Sequence, residues 1–271
     1  MQGVFGERWV RDAHMKKEVK QRRKQEVGHI ALKWLQNMLD TGIELLYPAR
    51  CPGCDEVIMP GEELCGICRG SIHTVQEPVC KRCGKPMQDE RGEYCTDCRK
   101  KKHVYRQGKA VFVYRGVIRQ SMYRFKYSNK REYAAYYAKV AASLYGDWVK
   151  RNGIEVLVPI PMYKGKQRRR GYNQAEVFAR ALGRELGIPV DTEMVSRVRN
   201  TTPQKELSDK ERRHNLKNAF QLTPNIVEYS QIMLIDDIYT TGSTMDAVAE
   251  VLLSGGAKNI YYICISIGVG F

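Results

Sequence analysis

The stretch Ile232-Met233-Leu234-Ile235-Asp236-Asp237-Ile238-Tyr239-Thr240-Thr241-Gly242-Ser243-Thr244 decides the fold. It opens with a short, wholly apolar run, as a strand buried on both faces does. Two adjacent carboxylates follow, then hydroxyls around one glycine, then the helical pattern Met245 to Leu253. This order is the layout of an anion site at the carboxyl end of a parallel strand: the strand delivers the loop to the sheet edge, and backbone N–H groups at the helix start wrap a phosphate. Asp236 and Asp237 cannot both enter a core unpaired, because a buried lone charge costs several kcal/mol. They call for hydroxyl donors or a divalent ion.

Outward from this run, short apolar segments alternate with helical ones. The pattern predicts strands at 110–114, 155–160, 231–235 and 260–267, helices at 133–148, 173–186 and 244–254, a short helix carrying Ile118, Met122 and Phe125, and a long polar connection over 196–218. Such alternation predicts an α/β domain, a doubly wound parallel sheet covered by helices, over 105–271. The strand Val156 to Pro161 leads into Lys164, Lys166, Arg168, Arg169 and Arg170 with no intervening acid. This reads as a basic loop suited to pyrophosphate, with Asn173 capping the next helix.

The thirteen residues from Ile232 to Thr244 resemble the phosphoribosyl-pyrophosphate motif of type I phosphoribosyltransferases, with one departure: Tyr239 stands where that motif has an aliphatic residue. The resemblance implies that Asp236 and Asp237 hold the ribose diol with Mg2+, that Thr240, Thr241, Gly242, Ser243 and Thr244 take the 5′-phosphate, and that Lys164 and Arg170 help to bind the ligand. Asp236 and Asp237 are the candidate catalytic pair.

Eight of the nine cysteines lie between Cys51 and Cys98 in four CxxC pairs. Cys51 and Cys54 precede Cys65 and Cys68 by ten residues, and Cys80 and Cys83 precede Cys95 and Cys98 by eleven. Each unit has the form of a zinc ribbon, in which two knuckles supply four thiolates to a closed structural site, so two zinc ions are expected and catalysis by them is not. Whether ligands pair within or between units stays open at this point. The ninth, Cys264, alternates with Ile263 and Ile265 and reads as a small core hydrophobe.

The formal charge of +15, from 45 Lys and Arg against 30 Asp and Glu, favours anionic partners. Residues 1–28 read as a basic flexible tail, 29–46 as an amphipathic helix that joins the double ribbon in a module over 29–104, and 105–271 as the phosphoribosyltransferase-like domain. No run is long enough for a signal or a membrane span, so a cytoplasmic protein is expected. Residues 99–131 hold twelve Lys and Arg and no acid, interleaved with Tyr105, Phe112, Tyr114, Tyr123 and Phe125. Basic grooves with aromatic platforms bind single strands.

The ordered set of a Pro-x-x-Cys entry, tandem CxxC pairs, Phe125-Lys126-Tyr127, Val158-Pro159-Ile160-Pro161, Arg170-Gly171-Tyr172-Asn173-Gln174, Gln204 with Arg212 and Asn215, and the Asp236-Asp237 loop looks like the ComF family over about 45–267. The resemblance implies a zinc-ribbon module fused to a phosphoribosyltransferase domain, and a role in DNA uptake during natural transformation through single-stranded DNA and competence or recombination proteins. Either the domain transfers a phosphoribosyl group to an acceptor, with the connection from Ser196 to Phe220 (Arg199, Gln204, Arg212, Arg213 and Asn215) closing as a lid, or it binds the nucleotide without reaction.

Overall fold

The computed structural model describes residues 48–89, 91–199, 218–223 and 228–269. The expected tail and amphipathic helix, residue 90, and most of the 196–218 connection, with Gln204, Arg212, Arg213 and Asn215, lie outside the described residues. The chain divides into two compact units, one of Met1–Arg50 with Val57–Glu62 and one of Cys51–Glu56 with Glu63–Phe271. In the described part of the first, Arg50 and Val57 form an antiparallel bridge and the Ile58 amide donates to Ala49 O at 3.0 Å.

The second unit carries the sheet. In chain order its elements are α1 (Gly66–Ser71), α2 (Thr96–Lys100), β1 (Gln107–Val113), α3 (Gly116–Tyr127), α4 (Tyr133–Arg151), β2 (Val156–Pro159), α5 (Lys164–Arg170), α6 (Gln174–Leu186), β3 (Val195–Arg197), β4 (Phe220–Leu222), β5 (Gln231–Tyr239), α7 (Ser243–Ser254) and β6 (Asn259–Ile267). The main sheet runs β1-β6-β5-β2, parallel throughout. The two most apolar strands, β5 and β6, take the centre, where both faces are covered. Pro159, which has no N–H to donate, sits on the edge strand β2.

Alternation along the strands sends side chains to two cores. Met233, Ile235, Ile263 and Ile265 pack with Met122, Phe125, Tyr137 and Phe178 from α3, α4 and α6. Ile232, Leu234, Tyr262 and Cys264 pack with Val248 and Leu252 of α7 on the opposite face. Helices thus cover both faces, as a doubly wound sheet requires.

Three local expectations change. The β5 strand extends past Ile235 to Tyr239 because β6 stays in register with it, pairing Ile238 with Ser266 and Tyr239 with Ile267. The basic segment is a short helix, α5, closed by Gly171 at φ +87°, and not a loop. The polar connection is bracketed by two unforeseen three-residue strands, since β3 and β4 pair antiparallel from Val195–Leu222 to Arg197–Phe220.

The second cysteine unit does not form a separate lobe. Cys80, Cys83 and Cys95 belong to the same apolar cluster as Tyr105, Val248, Leu252 and Tyr262. A ribbon too poor in apolar residues to build its own core has borrowed the sheet's.

Candidate functional site

The central strand β5 carries Asp236 and Asp237 in its last turns of pleat, with Asp236 opposite Cys264 of β6. The Asp237 amide donates to Asp236 Oδ1 at 2.8 Å, and Lys126 of α3 brings its ammonium to 3.0 Å from Asp237 Oδ2. Burial first, and the Asp237 charge second, push the Asp236 carboxyl from 3.8 up to about 7. The Cys264 thiol is held well above its usual value by burial and by the Asp236 charge, so it is unreactive as expected.

This shift has a testable sign. Between the unfolded value of 3.8 and about 7 the folded chain holds a proton that the unfolded chain releases, so ligand-free stability falls as pH rises through that window. Asp236→Asn removes the penalty. We expect the variant to melt several degrees above the wild type near pH 8 without ligand, an advantage that shrinks as pH falls from about 7 toward 3.8; roughly 1 kcal/mol shifts the melting temperature about 2–4 °C at this chain length. Thermal denaturation showing no gain at high pH, or a gain that grows toward acid, contradicts the buried-acid assignment.

After Tyr239 the chain turns through Thr240 and Thr241 to Gly242, which opens α7 at φ +76°. A Cβ there would meet Tyr239 Oη at 2.6 Å and His103 Cε1 at 2.9 Å, so both conformation and space require glycine. Thr241 Oγ1 lies 3.1 Å from Ser243 Oγ, and Ser243 is buried at the helix start. Four N–H groups at such a start lack intrahelical acceptors, which suits the turn to an anion.

Tyr239, unusual for the motif, supports this turn from below. Its ring stacks on Tyr262 with centroids 5.0 Å apart, and its hydroxyl meets Tyr105 Oη at 2.7 Å. The segment after the second cysteine unit adds a second tie, because Asp246, in the first turn of α7, receives Lys101 Nζ at 2.5 Å, His103 Nδ1 at 3.0 Å and the Val104 amide at 3.2 Å. Burial opposes charge on Asp246, yet the His103 and Lys101 contacts hold its carboxyl below the usual range.

One cleft of about 500 Å3 joins Asp236, Asp237, Thr240 and Thr244 to Lys126, Lys166, Asn173, Arg197 and the rings of Tyr114, Tyr123 and Tyr127. Of the loop residues expected at the ligand, Thr241, Gly242 and Ser243 form the turn behind this wall. Asn173 caps α6 as expected, accepting from the Ala175 amide at 3.1 Å and donating to Ile160 O at 3.0 Å. Lys164 and Arg170 are not on the wall. Lys164 is exposed at the start of α5, and Arg170 lies 4.9 Å over the Tyr127 ring while donating to Gln174 Oε1 at 2.8 Å. The helical course of α5 turns Lys166 inward in their place. Burial, then Arg197, Arg169 and Arg170, lower the Lys166 pKa, and burial lowers that of Arg197.

Lys126 and Arg197 were not read as residues of this cleft from the sequence. Lys126 stood within a basic, aromatic stretch whose sign fits DNA equally well. Arg197 had no local signal at all, since only the β3–β4 pairing brings it to Asp236.

Each cysteine unit gathers its own four sulfurs, Cys51, Cys54, Cys65 and Cys68 in one and Cys80, Cys83, Cys95 and Cys98 in the other, all within 4.8 Å. Ligation is therefore sequential, not interleaved. Cys54 and Cys65 sulfurs are 3.7 Å apart, as are those of Cys83 and Cys95. Thiolates about 2.3 Å from a tetrahedral zinc stand about 3.8 Å apart, so both sets fit structural zinc. No water position remains in a four-sulfur set, and their chemistry is architectural.

Comparison with known proteins agrees with this division. Residues 42–99 match the double zinc ribbon domain and residues 172–269 the phosphoribosyl transferase domain. Competence protein F of Haemophilus influenzae is 32% identical over 201 residues, covering 72% of this chain and 87% of that protein. Competence protein ComFC of Bacillus subtilis is 28% identical, covering 74% and 82%, and the DNA utilization protein YhgH of Escherichia coli (strain K12) is 28% identical, covering 82% and 98%. Among solved structures, a purine phosphoribosyltransferase from Pyrococcus horikoshii shares 18% identity over 49% of this chain and 73% of its own, at a TM-score of 0.31, a likeness too slight to bear on function.

Proposed function

This chain belongs to the ComF family of competence proteins, and from that premise we propose that it binds 5-phosphoribosyl-1-pyrophosphate with Mg2+ in the β5 cleft and serves DNA uptake by handling single-stranded DNA. One observation carries the ligand: a carboxylate pair, the hydroxyls of Thr240 and Thr244, and the half-buried cations Lys166 and Arg197 share one cleft. Asp236 is pushed toward its neutral form while Lys166 and Arg197 are pushed toward theirs.

A ligand that carries a diol between phosphates at its two ends offers a counterpart to each of these groups. Asp236 and Asp237 accept from the ribose diol, the Thr240 to Thr244 turn donates to the 5′-phosphate, and Lys166 with Arg197 meets the pyrophosphate. Mg2+ carried with that pyrophosphate would supply charge neutralisation beside the carboxylates. Lys126 faces the same acids, its ammonium 3.0 Å from Asp237 Oδ2.

The cationic wall favours a second reading, in which the bound ligand reacts. An acceptor lone pair attacks the ribose C1′, the C1′–O bond breaks, and pyrophosphate leaves with the electron pair, stabilised by Lys166 and Arg197. The domain then acts in nucleotide metabolism. Titration calorimetry with and without Mg2+ tests the binding function, and a pyrophosphate-release assay with candidate acceptors separates the two readings. We expect saturable heat only with Mg2+; its absence at millimolar ligand overturns the proposal.

A further inference from the structure

The aromatic residues interleaved among the cations of 99–131 sort into two classes in the structure. Tyr105, Phe112 and Phe125 are fully buried, and Tyr114 is half-buried at the cleft. Tyr123 and Tyr127 are different, 62% and 58% exposed. Both lie on α3, whose other side already meets the core through Ile118, Met122 and Phe125. Their rings are therefore not needed for packing, and two large exposed aromatics side by side mark a contact surface.

Three features define what that surface takes. Arg119, Tyr123 and Tyr127 recur every four residues, so they form one stripe along α3. The two tyrosine rings sit 5.0 Å apart at 48°, and the Arg170 guanidinium lies over Tyr127. Tyr123 also lines both the ligand cleft and a neighbouring depression walled by Gly116, Arg119, Gln120 and Arg124. The stripe thus leads out of the cleft along a helix face that contains no acid.

We propose that this Arg119–Tyr123–Tyr127 face of α3 is a stacking platform for single-stranded DNA, which lies across the mouth of the phosphoribosyl cleft. Unstacked bases offer π-faces to the two rings, and phosphates meet Arg119 and the exposed Arg168 and Arg169 of α5. A duplex hides its base faces, so the platform selects single strands. The other cations of α3 are already engaged, since Arg124 donates to Gly53 O at 2.9 Å and Lys126 holds Asp237, and neither defines the strand path.

This inference rests on the single-strand handling proposed above, and its test separates the two. Fluorescence anisotropy of the full chain with a labelled oligothymidylate of about twenty residues is compared with a duplex of equal length. We expect Tyr123→Ala/Tyr127→Ala to weaken single-strand binding at least tenfold with an unchanged salt slope, because stacking is lost and phosphate contacts are not. Tyr123→Phe/Tyr127→Phe keeps the stacking faces and retains binding. Arg119→Glu lowers the log–log salt slope by about 0.7. Should the wild type bind while the alanine pair binds equally well, the platform falls and the function stands; should the wild type bind no single strand, both fall. Crosslinking of 5-iododeoxyuridine strands gives a readout free of substitutions, and adducts mapped only outside 119–127 also overturn the platform.

Discussion

Cys83→Ser is expected to lose its zinc, unfold in a single step with the sheet and lose ligand affinity, whereas Cys54→Ser should be the milder change. A module over 29–104 separate from the phosphoribosyltransferase-like domain would unfold ahead of it on either replacement. Packing changes the expectation for the second unit. Cys83 is 1% exposed, and its carbonyl accepts from the Tyr262 hydroxyl at 2.8 Å. Tyr262 stacks on Tyr239, and Tyr239 fills the space beneath Gly242.

The second cysteine set is therefore two side chains away from the Gly242 turn. A structural zinc contributes on the order of 10–16 kcal/mol in free fingers, comparable to the roughly 5–15 kcal/mol stability of a whole domain. Cys54 is only partly buried, and its knuckle meets α3 through backbone carbonyls, Pro52 O accepting from Ser121 and Gly53 O from Arg124. Calorimetric melting with zinc analysis checks the pair. Two separate transitions in Cys83→Ser, with the upper one at the wild-type temperature and the ligand still bound, would contradict the coupling.

The strand, acid pair and turn from Ile232 to Thr244 were legible in the sequence because their pattern is local. An apolar strand, two acids, a glycine and hydroxyls follow each other within thirteen residues, and each has its physical task in that order. The metal ligands were legible for the same reason, but their pairing was not: every CxxC is an equal half-site, and only the fold brings particular halves together. The strands β3 and β4 are three residues long with a single buried position at one end, too short for periodicity to appear. The basic helix α5 buries no residue, so it carried no apolar stripe to read. Lys126 and Arg197 reach the acids through tertiary contacts across long sequence separations, and no local pattern announces such a meeting. Phe125 and Tyr123, two residues apart in a helix, face opposite environments, and the stretch could be divided into core and platform only once α3 was seen against the sheet.

The largest effect on function is expected from the acids themselves. Asp236→Asn with Asp237→Asn keeps the size of both side chains and removes the ionised acceptors. A hydrogen bond to a charged group contributes roughly 1.5–3 kcal/mol, so losing two weakens binding by about a hundredfold or more. Thr241→Val, which removes a hydroxyl from the phosphate turn, should cost about tenfold by the same reasoning. The strand-binding surface on α3 does not include either acid, so single-strand affinity should survive the double substitution.

The most direct measurement is a calorimetric titration of phosphoribosyl pyrophosphate into the wild type and into Asp236→Asn/Asp237→Asn, with Mg2+ present and with Mg2+ chelated. The account predicts saturable, Mg2+-dependent binding in the wild type, and affinity weaker by about two orders of magnitude in a variant that melts no lower than the wild type near pH 8. Equal affinity in the two proteins would contradict it, because the carboxylate pair at the end of β5 would then take no part in holding the ligand.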